Sequence, residues 1–303
     1  MKILMTGASG FLGSNVLRAL RKNNHDVCIL VRETSNLSRI NDIVDDVDKC
    51  LFKNLNDLDF KAELVIHLAW QGVSANDRNN FETQIKNLTI TKNLLSYCKA
   101  NSVNRIIGTG SQAEYGFYEN VVDERCSADF DTHPYGLVKN LSRLYIENFC
   151  NQYNIGWTWL RLFSFYGPDE DPKWFIPWLI SNIINENKIE MTEGKQRYAY
   201  MHVDDFSRIF LEIINSSKTI NNTYNICSEN DLSLKEISIL LKDIIKPNTF
   251  NIEFGAKPYR DDQIMVLKGN ISKLLNHLNI SSLNEKLFQD NMPTIIKKIK
   301  NEI

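Results

Sequence analysis

The sequence predicts an α/β fold in which a doubly wound parallel sheet is followed by a smaller C-terminal lobe. Three observations support this prediction. An apolar strand near the start of the chain turns through a glycine loop into a helix, and strand-like and helix-like segments alternate over the first 165 residues. In addition, a chain of 303 residues, 43% of them hydrophobic, is long enough for one large core and a lobe.

The glycine loop is the segment Thr6–Gly13, with the sequence TGASGFLG. Gly7 permits a tight turn, Gly10 lets the backbone approach a pyrophosphate, and Gly13 lets the helix lie close to the strand. The first turn of the helix offers unpaired N–H groups and the positive end of the helix dipole, which both favour a phosphate. Because a second strand follows at the spacing of a βαβ unit, the segment predicts a dinucleotide-binding site.

Apolar, strand-like runs recur along the first half of the chain. They are Lys2–Met5, Asp26–Val31, Lys49–Phe52, Leu64–Leu68, Arg105–Thr109 and Trp157–Phe163. Helix-like segments around 14–22, 80–99 and 135–153 separate them. This alternation is typical of βαβ units, whose strands run parallel.

The pattern changes after Tyr166-Gly167-Pro168, where proline and tryptophan become frequent. One more strand is predicted at Thr223–Cys227 and a helix at Leu234–Ile245. We therefore expect two interleaved units. Residues 1–165 plus 200–230 form the dinucleotide-binding domain, and residues 166–199 plus 231–303 form the substrate-facing lobe.

Composition and charge exclude several classes of protein. The formal net charge is −2 with both signs interspersed, which argues against nucleic-acid binding and against a basic membrane patch. No apolar stretch is long enough for a bilayer, and the N-terminal run lacks signal-peptide features, so we expect a cytoplasmic protein. Six cysteines without a C-x-x-C pair predict reduced, mostly buried thiols, and five histidines without ligand spacing predict no metal.

The strongest chemical pattern lies between residues 109 and 139. Tyr135 and Lys139 are four residues apart in a predicted helix that follows Pro134, so their side chains project from one face. Because an ammonium favours a nearby phenolate, we expect Lys139 to lower the pKa of Tyr135. Ser111 follows a predicted strand at the sheet edge where doubly wound folds bind ligands, and its hydroxyl can hydrogen-bond a reacting oxygen.

With these motifs the sequence resembles the extended short-chain dehydrogenase/reductase superfamily, and within it the nucleotide-sugar epimerases, dehydratases and reductases. The resemblance covers nearly the whole chain and implies a Rossmann-type fold. Its motifs are the glycine loop, Val65–Ala69, Asn87 ahead of Leu94-Leu95, the Ser111/Tyr135/Lys139 triad, Arg161–Pro168, His202–Asp205 and Tyr259–Asp262.

The resemblance implies a role for individual residues. The implied catalytic residues are Ser111, Tyr135 and Lys139. The implied cofactor contacts are Gly7, Ser9, Gly10, Phe11, Leu12, Gly13, Arg32, Asn54, Leu55, Leu68, Ala69, Asn87, Tyr135 and Lys139. The implied substrate contacts are Ser111, Gln112, Ser164, Arg197 and Arg260. The two arginines are candidates for the diphosphate because a guanidinium pairs two phosphate oxygens at once, and a surface ion pair is the alternative for each.

Departures from the family pattern narrow the chemistry. NAD-preferring members carry an acidic residue after the second strand, whereas this chain has Val31 followed by Arg32, which favours NADP(H) over NAD(H). The dehydratases' Asp-Glu pair is replaced by Gln112 and Ala113, so dehydration is not expected. Asn54 stands in place of the adenine-binding Asp, and Ser164 in place of an Asn that contacts the sugar nucleotide.

The favoured function is NADPH-dependent reduction of the 4-keto group of a nucleotide-linked 6-deoxy sugar, with Tyr135 protonating the new alkoxide. A nucleotide-sugar 4-epimerase with tightly bound NAD(P) is the alternative, because it uses the same triad. A third possibility is a catalytically silent dinucleotide-binding sensor on the same fold. The expected partners are a nucleotide sugar and a second copy of the chain in a homodimer.

Overall fold

The computed structural model describes residues 1–126, 133–246, 252–260 and 263–302, and the elements below belong to these ranges. The strands are β1 (Lys2–Thr6), β2 (Asp26–Val31), β3 (Asp48–Leu51), β4 (Leu64–His67), β5 (Arg105–Ser111), β6 (Gly156–Leu162), β7 (Ser164–Tyr166), β8 (Ile189–Met191), β9 (Arg197–Tyr198), β10 (Tyr200–His202), β11 (Asn222–Ile226), β12 (Leu232–Ser233), β13 (Ile252–Phe254) and β14 (Val266–Leu267). The helices are α1 (Phe11–Lys22), α2 (Ala75–Arg78), α3 (Phe81–Ala100), α4 (Pro134–Tyr153), α5 (Phe175–Ile184), α6 (Val203–Asn215), α7 (Leu234–Ile245), α8 (Ser272–Leu278) and α9 (Phe288–Glu302).

A seven-stranded sheet forms the centre of the molecule in the order β3-β2-β1-β4-β5-β6-β11. All of its neighbouring strands run parallel. Because β1 pairs with β2 on one side and β4 on the other, the winding direction reverses at β1. Such a switch point opens a ligand crevice at the carboxyl ends of the strands. The predicted doubly wound parallel sheet is confirmed.

Both faces of the sheet are covered by helices. Ile3 and Met5 of β1 pack into one hydrophobic cluster with apolar residues of α1 and α6. Leu4 points to the other face and packs into a second cluster with residues of α3 and α4. All three side chains are 0% exposed. A strand buried on both faces needs a continuous apolar run, which explains why β1 shows no polar alternation.

Two element boundaries differ from the sequence prediction by two or more residues. β5 continues past its predicted end, because Gly108 and Gly110 leave room for the indole ring of Trp159 on β6. A Cβ at Gly108 would lie 2.6 Å from that ring. α1 begins earlier than predicted, at Phe11, with the extended Gly10 as its N-cap.

A third hydrophobic cluster forms the core of the lobe. It joins Tyr166 of β7 to apolar residues of α5, α7 and α9. The side-chain nitrogen of Asn291 on α9 donates to the Tyr166 hydroxyl over 3.0 Å, which ties the C-terminal helix to the strand. Small sheets complete this region, with β10 beside β7, β13 beside β8, and β9 between β12 and β14.

The segment between β14 and α9 departs from the predicted domain boundaries. Ile271, Leu274 and Leu283 pack into the cluster on the α1 face of the central sheet. The sequence prediction assigns residues 231–303 entirely to the lobe. Instead the chain returns to the sheet around α8 before α9 packs into the lobe.

Within the described ranges, none of the helices combines the length and the apolar character that a bilayer crossing requires. The same ranges contain no group of three or more His, Cys, Asp or Glu side chains placed to hold a metal ion. None of the six cysteines is in a disulfide; five are buried and Cys126 is exposed.

Candidate active site

The glycine loop between β1 and α1 forms a narrow backbone cradle. Gly7 has φ +76°, which side chains rarely adopt, and a Cβ there would lie 2.6 Å from the Ala69 nitrogen. A Cβ at Gly13 would lie 1.9 Å from the Gly7 carbonyl oxygen, so only glycine allows this approach of α1 to β1. The Gly10 N–H donates to the Gly7 carbonyl over 3.0 Å and closes the turn.

This cradle fits the pyrophosphate of a dinucleotide. α1 has no acidic residue in its first turn, and its N-terminus has no side-chain cap among the described residues. The first N–H groups of a helix lack carbonyl partners inside the helix and attract anions. Ser9, Phe11 and Leu12, which the resemblance places at the cofactor, are half-buried in this loop and first turn.

The loop after β4 forms the opposite wall of the cradle. Thr6 accepts the Leu68 N–H at its carbonyl over 3.3 Å and the Ala69 N–H at its hydroxyl over 3.2 Å. Asn87 on α3 is buried, accepts the Gln71 N–H over 2.8 Å, and donates to the Gln71 carbonyl over 3.0 Å. Asn87 therefore holds the loop that borders the crevice.

Ser111, Tyr135 and Lys139 come together at the carboxyl end of β5. The Tyr135 hydroxyl is hydrogen-bonded to the Ser111 side chain, and the Lys139 ammonium donates to the Thr109 carbonyl over 2.7 Å. None of the three triad residues is more than 8% exposed. Pro134 occupies the first turn of α4, where its missing N–H leaves nothing unpaired.

The cation next to Tyr135 is not the expected one. Burial raises the pKa of the Tyr135 phenol, and Arg78 and the hydrogen bond with Ser111 act against this rise. The Arg78 guanidinium lies 5.0 Å from the Tyr135 ring centroid. Lys139 lies 5.9 Å from that centroid and directs its ammonium to Thr109. The expectation that Lys139 lowers the pKa of Tyr135 is therefore wrong for this arrangement, because burial dominates and Arg78 supplies the opposing charge.

Lys139 is itself strongly affected by its surroundings. Burial lowers the pKa of its ammonium to about 7, and the Glu114 carboxylate acts in the opposite direction. The ammonium lies 3.8 Å from the ring centroid of Trp70, close enough for a cation–π interaction. A lysine with a pKa near 7 changes its charge in the physiological range.

Two residues that contact Tyr135, Trp70 and Arg78, were missed by the sequence reasoning. Trp70 packs edge-to-face on the Tyr135 ring with centroids 6.1 Å apart. The guanidinium of Arg78 also lies 5.6 Å from the ring of Trp174, so it bridges two aromatic side chains. The position of Trp70 in the sequence could have identified it as a site residue, because it follows β4 closely at the sheet edge where ligands bind.

Two of the three residues predicted at the far end of the cofactor lie at the surface. Arg32 directly follows β2 and is exposed, and the adjacent Glu33 is paired with Lys53. Asn54 is exposed as well. The side chain of Leu55 is 3% exposed and packs into the core on the α3 face, so it is not available to a ligand.

The predicted substrate contacts are in different environments. Gln112 accepts a hydrogen bond from Tyr118 over 3.0 Å, and Ser164 is half-buried at the start of β7. Arg197 on β9 is paired with Asp231, over 2.5 Å, and with Glu236, over 3.1 Å. The ion pair predicted as the alternative for Arg197 is thus present.

Arg260 is exposed and lies in the stretch before β14. Burial raises the pKa of Tyr198, and the hydrogen bond from Gln263 and the charge of Arg260 act against this rise. Arg260 therefore lies near the β9 strand that carries Arg197. Asp261 and Asp262, which complete its motif, lie outside the described residues.

A parallel sheet with a glycine cradle at its switch point defines a dinucleotide-binding protein of the Rossmann class. The chain belongs to the NAD dependent epimerase/dehydratase family, whose model matches residues 3–227. This confirms the family resemblance of the sequence. The family uses NAD or NADP.

Relatives and solved structures agree with this assignment. The chain is 29% identical to CDP-abequose synthase of Yersinia pseudotuberculosis over 88% of this chain and 91% of that one. Its fold matches UDP-glucose 4-epimerase of Thermotoga maritima, solved with UDP-glucose, with a TM-score of 0.87 at 21% identity, covering 100% and 99% of the two chains. It also matches UDP-glucuronic acid 4-epimerase of Bacillus cereus, solved with UDP-glucuronic acid and NAD, with a TM-score of 0.82 at 23% identity and full coverage of both.

Proposed function

We propose that the protein reduces the 4-keto group of a nucleotide-linked 6-deoxy sugar, using NADPH. The observation that carries this proposal is the Tyr135–Ser111 hydrogen bond at the crevice edge, with Lys139 beside it. Support for a nucleotide sugar comes from the match to a CDP-abequose synthase and from structural neighbours solved with UDP-sugars. Support for NADPH comes from Arg32, which follows β2 where an NAD-preferring protein carries an acid.

The chain's own residues would move the proton and hold the sugar. Tyr135 is protonated near neutral pH, because burial raises its pKa, and so it can donate to the oxygen at C4. Ser111 would bind the same oxygen, and Lys139 would bind the ribose next to the nicotinamide. The bound NADPH supplies the hydride to C4. The carbonyl thereby gains one hydride and one proton and becomes a hydroxyl group.

A 4-epimerase is the second candidate, favoured by the epimerases among the structural neighbours. It would oxidise and re-reduce the same carbon with retained NAD(P), using the same triad. Incubation with NADPH and a panel of 4-keto nucleotide sugars separates the two. Stoichiometric loss of NADPH supports the reductase. Interconversion of 4-hydroxy sugars by NMR, without net NADPH loss, supports the epimerase, and binding without turnover supports the silent sensor.

Cofactor preference gives a prediction at Arg32. We expect NADPH to bind more tightly than NADH, and Arg32→Ala to remove a charge-assisted contact of about 1.5–3 kcal/mol with the 2′-phosphate. The ratio of the two dissociation constants should therefore shrink by at least about tenfold. Arg21→Ala is the matched control, because the Arg21 guanidinium already donates a hydrogen bond to the His25 carbonyl. Equal affinities in the wild type would contradict the preference and favour the epimerase.

Substrate binding gives a prediction at Arg260. A diphosphate clamp holds ground state and transition state alike, so Arg260→Ala should raise KM while leaving kcat nearly unchanged. Steady-state kinetics of this variant and of the neighbouring surface variant Lys257→Ala provide the measurement. An unaltered KM with at most a small loss of stability would instead assign Arg260 to a surface ion pair.

We also propose that residues 1–165 plus 200–230 act as the dinucleotide unit, with α8 packed onto it, and that the rest of the chain binds the sugar nucleotide.

A homodimer is proposed as well. It is supported by Leu141 and Leu144, three residues apart on α4 and 37% and 36% exposed. Sedimentation velocity tests it, and a monomer at micromolar concentration would contradict it.

A further inference from the structure

Glu114 is a buried carboxylate directly beside the triad. It lies in the short 3₁₀ helix Gln112–Tyr115 that follows β5, and its side chain is 0% exposed. One carboxylate oxygen accepts the backbone N–H of Ser111 and the indole N–H of Trp159, each over 2.9 Å. The other oxygen pairs with Arg161 over 2.9 Å. These contacts fix the backbone from which the Ser111 hydroxyl projects.

The glycine at position 110 leaves space for the Glu114 carboxylate. A Cβ at Gly110 would lie 1.9 Å from the carboxylate oxygen and 2.3 Å from the indole nitrogen of Trp159. Glycine at this strand position is therefore explained by Glu114 and Trp159 together. The Arg161 guanidinium lies 4.3 Å from the ring centroid of Tyr115, close enough for a cation–π interaction.

Stability alone is a weak reason to bury this pair. Removing two charges from water is costly, and replacing a buried ion pair by apolar residues is often neutral or stabilising. One nitrogen of Arg161, Nη1, is buried with no hydrogen-bond partner among the described residues. Burying the pair therefore costs stability, both through desolvation and through the unsatisfied Nη1 atom. The role of the pair must then lie in its effect on the neighbouring residues.

The charges that face Lys139 come from several elements. On β4, His67 is fully buried, and burial with the nearby Lys139 lowers its pKa to about 3, so it is neutral near pH 7. Arg78 on α2 adds a positive charge near Tyr135, and β5 contributes the uncharged Thr109 carbonyl. The Glu114 carboxylate supplies negative charge to Lys139 and to Tyr135 alike.

We propose that Glu114 is a positioning residue for the triad: it fixes the Ser111 backbone and places a buried negative charge that acts on Lys139. The ammonium is the form of Lys139 that holds positive charge near the reacting oxygen. The role of Lys139 in binding the ribose rests on the proposed function. The effect of Glu114 on the protonation of Lys139 does not depend on that function.

The test is a direct titration of Lys139 in protein with isotope-labelled lysine side chains, followed by NMR. The Lys139 signal is identified by its loss in Lys139→Met. In the wild type it should titrate near pH 7. In Glu114→Gln, which keeps size and an accepting oxygen but removes the charge, the midpoint should fall by about one pH unit or more. The Kd for NADPH should then rise at a lower pH than in the wild type.

Glu147→Gln is the matched control, because Glu147 also pairs with an arginine, Arg143, on the same helix as Lys139. Its lysine titration should be unchanged. If Glu114→Gln fails to fold, the double variant Glu114→Gln with Arg161→Gln removes both charges and repeats the test. An unchanged Lys139 midpoint in either folded variant, an equal shift in Glu147→Gln, or loss of the fold in both Glu114 variants would overturn the proposal. Absence of NADPH binding by the wild type would overturn the proposed function instead, and the lysine titration would still decide on Glu114.

Discussion

Tyr135→Phe is expected to lower kcat by about 10²–10⁴-fold, the usual loss for a general acid, while NADPH affinity stays near the wild-type value. The substitution removes only the hydroxyl, and the ring contacts with Trp70 and Arg78 remain. Stopped-flow turnover and fluorescence titration of NADPH on the same preparation separate chemistry from binding. Tyr153→Phe, at the exposed end of the same helix, is the matched control.

The pH dependence of this step follows from the two pKa shifts. Reduction needs the protonated phenol, and the pKa of Tyr135 is raised by burial, so proton donation should persist above pH 10. The pKa of Lys139 is lowered by burial to about 7, so its positive charge is present below that pH and lost above it. As the pH rises, activity should therefore decline first through deprotonation of Lys139.

A Tyr135→Phe variant with near wild-type kcat would remove Tyr135 from the mechanism.

Gly13→Ala should weaken dinucleotide binding and lower kcat by about a hundredfold, since displacing reacting groups by about 1 Å has a rate effect of this size. The new Cβ would lie 1.9 Å from the Gly7 carbonyl oxygen, and both atoms belong to the backbone. Helix α1 must then move away from β1 and carry its first-turn N–H groups with it. Overpacking should also lower stability by about 1–3 kcal/mol.

The control for this variant is Gly255→Ala in an exposed loop. Gly255 has φ +83°, so alanine is strained there too, but its Cβ meets nothing closer than 3.9 Å. This control should lose some stability and keep its affinity for the dinucleotide. Calorimetric titration with NADPH, together with thermal unfolding, gives both quantities. Unchanged affinity in Gly13→Ala would mean that the cradle does not hold the pyrophosphate.

The fold could be predicted because its signals are local. Continuous apolar runs mark strands buried on both faces, and the spacing of Gly7 and Gly13 fixes how a helix leaves a strand. The meeting of Ser111 with Tyr135 was predictable from topology, because the carboxyl end of β5 and the start of α4 share one edge of the sheet.

The electrostatics of the site could not be predicted in the same way. Arg78 contacts Tyr135 from the short helix α2, more than fifty residues earlier in the chain, and no short-range sequence pattern indicates that contact. No sequence pattern marks Glu114 as the partner of Arg161, which lies on the next strand of the sheet. The pKa of a buried group depends on every neighbour that surrounds it, and spacing along the chain reveals only some of them.

The order in which the chain emerges during synthesis has a consequence for folding. Strand β11 closes the edge of the central sheet against β6, but the intervening segment contributes β7, α5 and much of the lobe. The α8 region then covers the sheet, and α9 fills the lobe last. A nascent chain therefore exposes the apolar flank of β6 until most of the protein has left the ribosome. These late, long-range pairings predict slow folding through intermediates that expose apolar surface.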